Sequence, residues 1–172
     1  MLVVVKGAGD LASGVAVRLR RAGVKLVMTE IAHPTAIRRT VSFCRAVWEN
    51  AAVVEGIRAR LAENDAQALE IADTGDIAVL VDPDAKCVKT LKPDAVVDAM
   101  LAKRNLNTAI TDAPVVIALG PCFIAGVDCH AVVETMRGHT LGRVLLSGCA
   151  HPNTGVPGEI GGFTVERLLR AL

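Results

Sequence analysis

The first thirty residues hold the pattern that most restricts the fold of this chain. A short β-branched run at 2–5 leads into the sequence G-x-G-x-x-A at 7–12. Apolar residues then recur at helical spacing, and a second β-branched run at 24–28 ends close to Glu30. A strand, a glycine loop, a helix and a second strand predict a βαβ unit of the Rossmann type.

Each small residue of this loop has a physical role in such a unit. Gly7 allows the tight turn, Gly9 lets the backbone approach a pyrophosphate, and Ala12 lets the helix pack closely on the strand. Glu30 follows at about the distance at which an acid binds a ribose hydroxyl. The alternative is that the glycines only make a turn. Asp10 favours that alternative because its carboxylate repels phosphate, although it also suits a helix N-cap.

A basic stretch follows the second strand. Thr35 comes directly after a proline and predicts an N-cap, which places Arg38 and Arg39 in the first turn of a helix. Arginines oppose the helix dipole at that end, so their presence indicates recognition of a phosphate or carboxylate. A solvated basic face is the alternative. Residues 1–60 hold ten Lys/Arg against four Asp/Glu, which also suits a small anionic ligand.

A third polar group follows a predicted buried strand at 95–98. The strand ends at Asp98, and Lys103, Arg104 and Asn105 come soon after it. An acid, two cations and an amide at the carboxyl end of a strand are typical of a ligand site in an open α/β sheet. A salt-bridged loop explains the same residues equally well.

A second glycine loop, at 120–126, follows the apolar run at 115–119. We expect Gly120 and Phe123 to face the ligand site, and Phe123 to supply a ring surface for a purine or pterin. Cys122 lies in the same loop and is either a nucleophile or sulfur carrier, or a buried structural thiol. Phe163 is the other ring beside glycines.

The composition excludes several functional classes. Only 2% of residues are aromatic and tyrosine is absent, so no base-stacking platform for nucleic acid is expected. The longest uncharged apolar stretch, 113–127, is too short to cross a bilayer. Five cysteines without a C-x-x-C pair, and four histidines without paired spacing, predict no metal site. Reduced thiols and the lack of a signal peptide predict a cytoplasmic protein.

These patterns together predict one Rossmann-like domain over 1–172, a three-layer α/β fold with a largely parallel sheet. Strands are expected at 2–6, 25–29, 77–81, 95–98, 115–119 and 144–147. An antiparallel hairpin within 46–61, turning near Glu49 and Asn50, is expected to cover an edge of the sheet. Helices are expected at 62–72 and from Thr164. The sequence leaves a homo-oligomer open.

Longer motifs resemble a known family. The segments that carry the resemblance are 6–14, 29–30, 34–39, 101–106, 110–114, 119–121 with Phe123, 137–139, 141–143 and 152–162. Over nearly the whole chain they resemble the YqeB-type selenium-dependent molybdenum hydroxylase system proteins. In that family a glycine stands where this chain has Cys122, and members continue well past residue 170. The resemblance therefore implies that 1–172 is the N-terminal part of a longer architecture.

The resemblance implies an accessory role in the maturation of molybdenum hydroxylases. The expected partners are an apo-hydroxylase and a small phosphate-bearing ligand. The cofactor candidates are NAD(P), another nucleotide, or the molybdopterin cofactor. An NAD(P)-dependent oxidoreductase is the alternative, although no Tyr-Lys or His-Asp arrangement is evident to assist hydride transfer. A sulfur or selenium carrier that uses Cys122, and a scaffolding protein, also remain open.

Overall fold

A computed structural model of the chain describes residues 1–152. Nine strands form one sheet: β1 Leu2–Lys6, β2 Lys25–Glu30, β3 Ala51–Val54, β4 Ile57–Ala62, β5 Ile77–Val81, β6 Ala95–Asp98, β7 Val115–Leu119, β8 Ala131–Val133 and β9 Val144–Leu145. The helices are α1 Asp10–Arg21, α2 Ala46–Glu49, α3 Asp65–Asp73 and α4 Cys87–Leu91, with 3₁₀ turns at Arg39–Val41 and Phe43–Arg45. The helix predicted from Thr164, and Phe163, lie outside the described residues.

The strand order confirms the predicted fold class. The sheet runs β3-β4-β5-β2-β1-β6-β7-β8-β9. The strands from β4 to β8 in this order pair in parallel, whereas β3 and β9 pair antiparallel at the two edges. The six strands from β5 to β8 have the 3-2-1-4-5-6 order of a doubly wound Rossmann sheet. The chain reverses its direction of winding between β1 and β6.

Both faces of the sheet are covered, because successive side chains of a strand point to opposite faces. Val3 and Val5 of β1 belong to one core cluster, together with buried residues of α1. Val4 belongs to the other cluster, together with residues of α3 and α4. Strands buried on both faces read as continuous apolar runs, which is why most of them were predictable from the sequence.

The edge hairpin exists, but its predicted turn was wrong. Strands β3 and β4 turn at Glu55 and Gly56, both with positive φ, which is the backbone of a tight two-residue hairpin turn. Residues 46–49 form α2 instead of a strand. Asn50 ends that helix in the left-handed conformation, at φ 62°.

The carboxyl-terminal part of the sheet differs in detail from the expectation. Strand β8 was not predicted, since three residues are too few to show a periodicity. Strand β9 covers Val144–Leu145 rather than 144–147. Among residues 1–152, no helix has the length and apolar character needed to cross a membrane.

Candidate functional site

A cleft of about 320 Å³ lies at the carboxyl ends of β1, β2 and β6. This is the point where the winding of the sheet reverses, and open α/β sheets bind their ligands there. The described residues that line the cleft are Gly7, Gly9, Asp10, Leu11, Ala12, Thr29, Glu30, Ile31, Thr35, Ala36, Asp82, Pro83, 99–102 and Leu106. The cleft therefore combines the first glycine loop with the segment after β6.

The two loop glycines have different structural roles. Gly7 has a φ of +93°, and a Cβ at this position would lie 3.2 Å from Cα of Met100 and 3.3 Å from the carbonyl oxygen of Ala99. Gly9 is the N-cap of α1 at an ordinary φ of −67°. A Cβ at Gly9 would meet nothing within 4 Å. Gly7 is thus required by the turn, whereas Gly9 keeps space open at the cleft.

Glu30 is joined to the glycine loop by its carboxylate. Oε2 accepts a hydrogen bond from the backbone N–H of Ala8 at 3.0 Å, and Oε1 accepts one from Ile31 at 2.8 Å. An ionised carboxylate offers about four acceptor positions. Two acceptor positions of Glu30 are therefore unused by side chains and backbone groups of residues 1–152.

Asp10 and Arg38 form an ion pair at the rim of the cleft. Asp10 occupies the first turn of α1 and is not its N-cap, which is Gly9. The helix predicted from Thr35 was wrong, because residues 31–38 form no regular helix and the first 3₁₀ turn begins at Arg39. Pro34 is buried and most of its neighbours are exposed, as suits an irregular loop.

Arg39 lies away from the cleft lining. Its guanidinium stacks on the ring of Trp48, 4.7 Å from the ring centroid. Neither Arg38 nor Arg39 belongs to the lining residues. The basic N-terminal third of the sequence therefore does not produce a basic cleft.

The charges that do line the cleft are negative. Asp10, Glu30 and Asp82 contribute carboxylates, and within the described part of the chain no Lys, Arg or His side chain lines it. Asp82 accepts a hydrogen bond from the N–H of Cys87 at 2.8 Å and so caps the start of α4. This acidic lining was not anticipated from the sequence.

Asp98 lies beneath the cleft, in a buried polar network. Its carboxylate accepts bonds from Thr108 Oγ1 at 2.6 Å and from the N–H of Met100 at 3.1 Å. Burial raises the pKa of Asp98, and these hydrogen bonds oppose that rise. Lys6 Nζ, also buried, donates to Thr108 Oγ1 at 2.9 Å and pairs with Asp112 at 3.0 Å. Through Thr108, the network joins Lys6 at the carboxyl end of β1 to Asp98 at the carboxyl end of β6.

The polar residues after Asp98 do not converge on the cleft. Lys103 and Arg104 are exposed and lie outside its lining. Asn105 exchanges two hydrogen bonds with the backbone of Thr108, at 2.8 and 2.9 Å, and so closes the loop. The segment reaches the cleft instead through small and apolar residues at 99–102.

The second glycine loop also differs from its predicted position. Gly120, at φ +83°, lies against Thr135 and Leu101 and does not line the cleft. Phe123 is 1% exposed and belongs to the core cluster on the α3 and α4 face of the sheet. Its ring is therefore part of the core, and the expectation that it faces a ligand was wrong. An apolar residue among glycines fills the core as readily as it contacts a ligand.

Cys122 is exposed in this loop and has a φ of +79°. Non-glycine residues rarely adopt this conformation, which explains why glycine suits the position. Its Sγ donates to the carbonyl oxygen of Lys103 at 2.8 Å. Cys44 and Cys87 are buried, and burial raises their pKa to about 11 and about 12, as expected of structural thiols.

A second polar arrangement lies at the carboxyl end of β8 and was missed in the sequence. Glu134 is 2% exposed and accepts bonds from the N–H groups of Met136, at 2.7 Å, and His151, at 2.9 Å. His151 Nδ1 lies 2.6 Å from the same carboxylate. The two residues are 17 positions apart, and only the fold brings them together.

The protonation of this Glu134–His151 pair follows from its contacts. Burial by itself raises the pKa of Glu134, but the hydrogen bonds from His151 and Met136 outweigh it and lower the pKa to about 2. The carboxylate is thus ionised at neutral pH and can only accept, so Nδ1 carries the proton. Within residues 1–152 no group of three or more His, Cys, Asp or Glu side chains could hold a metal.

Among curated proteins, one from Escherichia coli (strain K12) is similar to this chain and is named "Uncharacterized protein YqeB". The two are 56% identical over 170 residues, which are 99% of this chain and 31% of the relative. The chain thus spans about a third of the length of this relative. No protein-family model and no solved structure matches the chain. The relative's name supports the YqeB part of the resemblance and states no ligand or activity.

Proposed function

We propose that this chain is a nucleoside-binding accessory module in the maturation of selenium-dependent molybdenum hydroxylases. One observation carries the binding half of this proposal. The cleft lies at the winding reversal of a Rossmann-type sheet, with Gly9 open to it and Glu30 on its wall. The maturation half is supported by the family resemblance alone, since the 56% identity to YqeB supports the family and adds no activity.

The binding mode follows from the lining. The free acceptor positions of Glu30 suit the hydroxyl groups of a ribose, and the lack of a side chain at Gly9 allows the sugar and its 5′ end close to the loop. Ile31, Pro83 and Leu106 line the same cleft and supply aliphatic surface for a base. A flat ring would be held between such walls without an aromatic partner from the described residues.

The lining also favours binding over catalysis in the cleft. Within residues 1–152, no Lys, His, Cys or Tyr side chain lines it, and each of its three acids is already engaged. Asp10 is paired with Arg38, and Glu30 and Asp82 accept hydrogen bonds from backbone N–H groups. An accessory protein that binds a cofactor and presents it to an apo-hydroxylase needs no such group. The cofactor candidates remain a nucleotide or the molybdopterin cofactor.

Calorimetric titration of the purified chain with adenosine, NAD, NADP, CTP and molybdopterin species tests the binding half. We expect saturable binding of at least one of them, and loss of that binding in Gly9→Val, whose side chain would fill the cleft. Gly14→Val is the matched control, because Gly14 is an exposed α1 residue with equally free space. Absence of binding to all of these ligands, adenosine included, would overturn the proposal.

The maturation half needs a separate experiment. A strain that lacks the gene for this protein should produce hydroxylase protein with little bound cofactor. Complementation with the wild type should restore the cofactor content, and complementation with Gly9→Val should not. Full cofactor content in the deletion strain would contradict the accessory role.

An NAD(P)-dependent oxidoreductase is the second candidate, and the Glu134–His151 pair favours it. The pair lies at the carboxyl end of β8, on the side of the sheet where the parallel strands end and where the cleft also lies. A Rossmann sheet binds a dinucleotide across the crevice between its two mononucleotide-binding halves, and the pair lies on the second half. If the protein leaves NADH fluorescence unchanged on mixing, this candidate is excluded.

A further inference from the structure

The charge around the glycine loop is the reverse of what a phosphate requires. In dinucleotide-binding folds the pyrophosphate lies on the backbone N–H groups of this loop and at the start of the helix. Here the N–H of Ala8 already donates to Glu30 at 3.0 Å. The Asp10 carboxylate lies in the first turn of α1. The partial positive charge of the helix N-terminus, which would attract a phosphate, is therefore already next to a negative charge.

Within the described chain, no Lys, Arg or His side chain belongs to the lining that holds these acids. Arg38 is the one arginine paired at the rim, and its charge is balanced by Asp10. Arg39 is stacked on Trp48, and Lys6 is buried beneath the cleft, where it pairs with Asp112. Glu30 and Asp82 therefore leave the described lining with a net negative charge.

We propose that the cleft selects a nucleoside whose 5′ substituent is uncharged or positively charged, and discriminates against 5′ phosphates. This inference rests on the proposed nucleoside binding and defines the class of ligand. The ribose diol would bind Glu30, and the 5′ substituent would face Asp10 at the loop. A pyrophosphate, or the phosphate of a pterin cofactor, would face the carboxylates of Glu30 and Asp82, which no cation of the described lining balances.

The size of the effect can be bounded from Coulomb's law. Each added negative charge at about 8 Å from one uncompensated carboxylate, partly screened by water, weakens binding about threefold to tenfold. A cationic 5′ group strengthens binding by a similar factor. The effect is electrostatic, so added salt reduces it in both directions.

The test is a charge series at one position of one ligand. Dissociation constants are measured by calorimetry for 5′-amino-5′-deoxyadenosine, adenosine, AMP and ADP, at low ionic strength and in about 0.5 M salt. We expect affinity to fall in that order, with a smaller spread at high salt. Asp82→Asn, which keeps an acceptor for the Cys87 N–H, should reduce the differences in dissociation constant among the four ligands. Asp84→Asn, outside the cleft lining, is the matched control and should not.

The outcomes separate this inference from the proposed function. Tighter binding of AMP or ADP than of adenosine would overturn the charge selection and leave nucleoside binding intact. Equal affinity across the series would do the same. If none of the four ligands binds, the nucleoside site itself fails, and the inference fails with it.

Discussion

The cleft and the Glu134–His151 pair lie on the same edge of the sheet but are built in opposite ways. The cleft is formed by a loop of consecutive residues after β1, closed by the ends of β2 and β6. The pair joins a residue after β8 to one 17 positions later. The cleft presents acids to its ligand, whereas the pair turns its acid inward and presents an imidazole to solvent. The cleft is the region proposed to bind a sugar, whereas the pair exposes a histidine ring.

The acidic residues have different structural roles in the two regions. In the cleft, the Glu30 carboxylate accepts one backbone hydrogen bond from the glycine loop and one from Ile31. At β8, an acid with three hydrogen bonds fixes a side chain and two backbone groups. The first arrangement should tolerate changes that fill empty space, at the expense of binding. The second should lose stability when its charge is removed.

The largest effect is expected at Gly7. Gly7→Ala forces a Cβ into the φ +93° conformation and against the backbone of 99–100. We expect the free energy of unfolding to fall by roughly 2–3 kcal/mol. Gly9→Ala is the matched control and should change stability by less than about 0.5 kcal/mol. Urea denaturation of both variants measures the difference. Equal losses would show that the two glycines are not distinct.

The next effect is expected at Glu134. Glu134→Gln keeps the shape of the side chain but removes the charge that three donors share, so we expect a loss of about 2 kcal/mol. Glu63→Gln, at an exposed position, is the matched control and should be neutral. Thermal denaturation of both variants is the measurement. A stable Glu134→Gln protein would mean that the pair contributes little to the fold.

Low pH should destabilise the protein through the same Glu134–His151 pair. The folded-state pKa of Glu134, about 2, lies below its ordinary value of 4.5. The ionised carboxylate therefore stabilises the fold fully above about pH 4.5, and this stabilisation is lost as the pH falls from 4.5 toward 2. Unfolding free energies measured across that range should decline less steeply in Glu134→Gln than in the wild type. Parallel curves would contradict the assignment.

The smallest effect is expected at Cys122, between the two regions. Its φ of +79° costs an ordinary residue about 1 kcal/mol, which glycine avoids. Cys122→Gly should therefore stabilise the protein by up to about 1 kcal/mol, even though the bond to Lys103 is lost. Asn50→Gly is the control, because asparagine tolerates the left-handed conformation well. A clear destabilisation by Cys122→Gly would indicate that the thiol contact outweighs the backbone strain.

The two regions differ in how far the sequence could predict them. The glycine loop, the flanking strands and Glu30 were placed correctly because their signal is local and consecutive. The position of Phe123 was not, since an apolar residue among glycines does not reveal which face of the sheet it packs against. The helix at Arg38 was wrong because an N-cap signal without apolar periodicity behind it is weak. The Glu134–His151 pair had no sequence signal, as its spacing depends on where β8 and β9 turn.

The most direct test of the account is the contribution of Glu30 to recognition of a ribose diol. Dissociation constants for adenosine and 2′,3′-dideoxyadenosine are measured by calorimetry with the wild type and with Glu30→Ala. We expect the dissociation constant of the wild type for adenosine to be at least about tenfold lower than for the dideoxy compound. Without the diol, two hydrogen bonds to the charged carboxylate are lost. Glu30→Ala should bind both equally. Equal affinity of the wild type for the two nucleosides, or a preference that survives in Glu30→Ala, would contradict it.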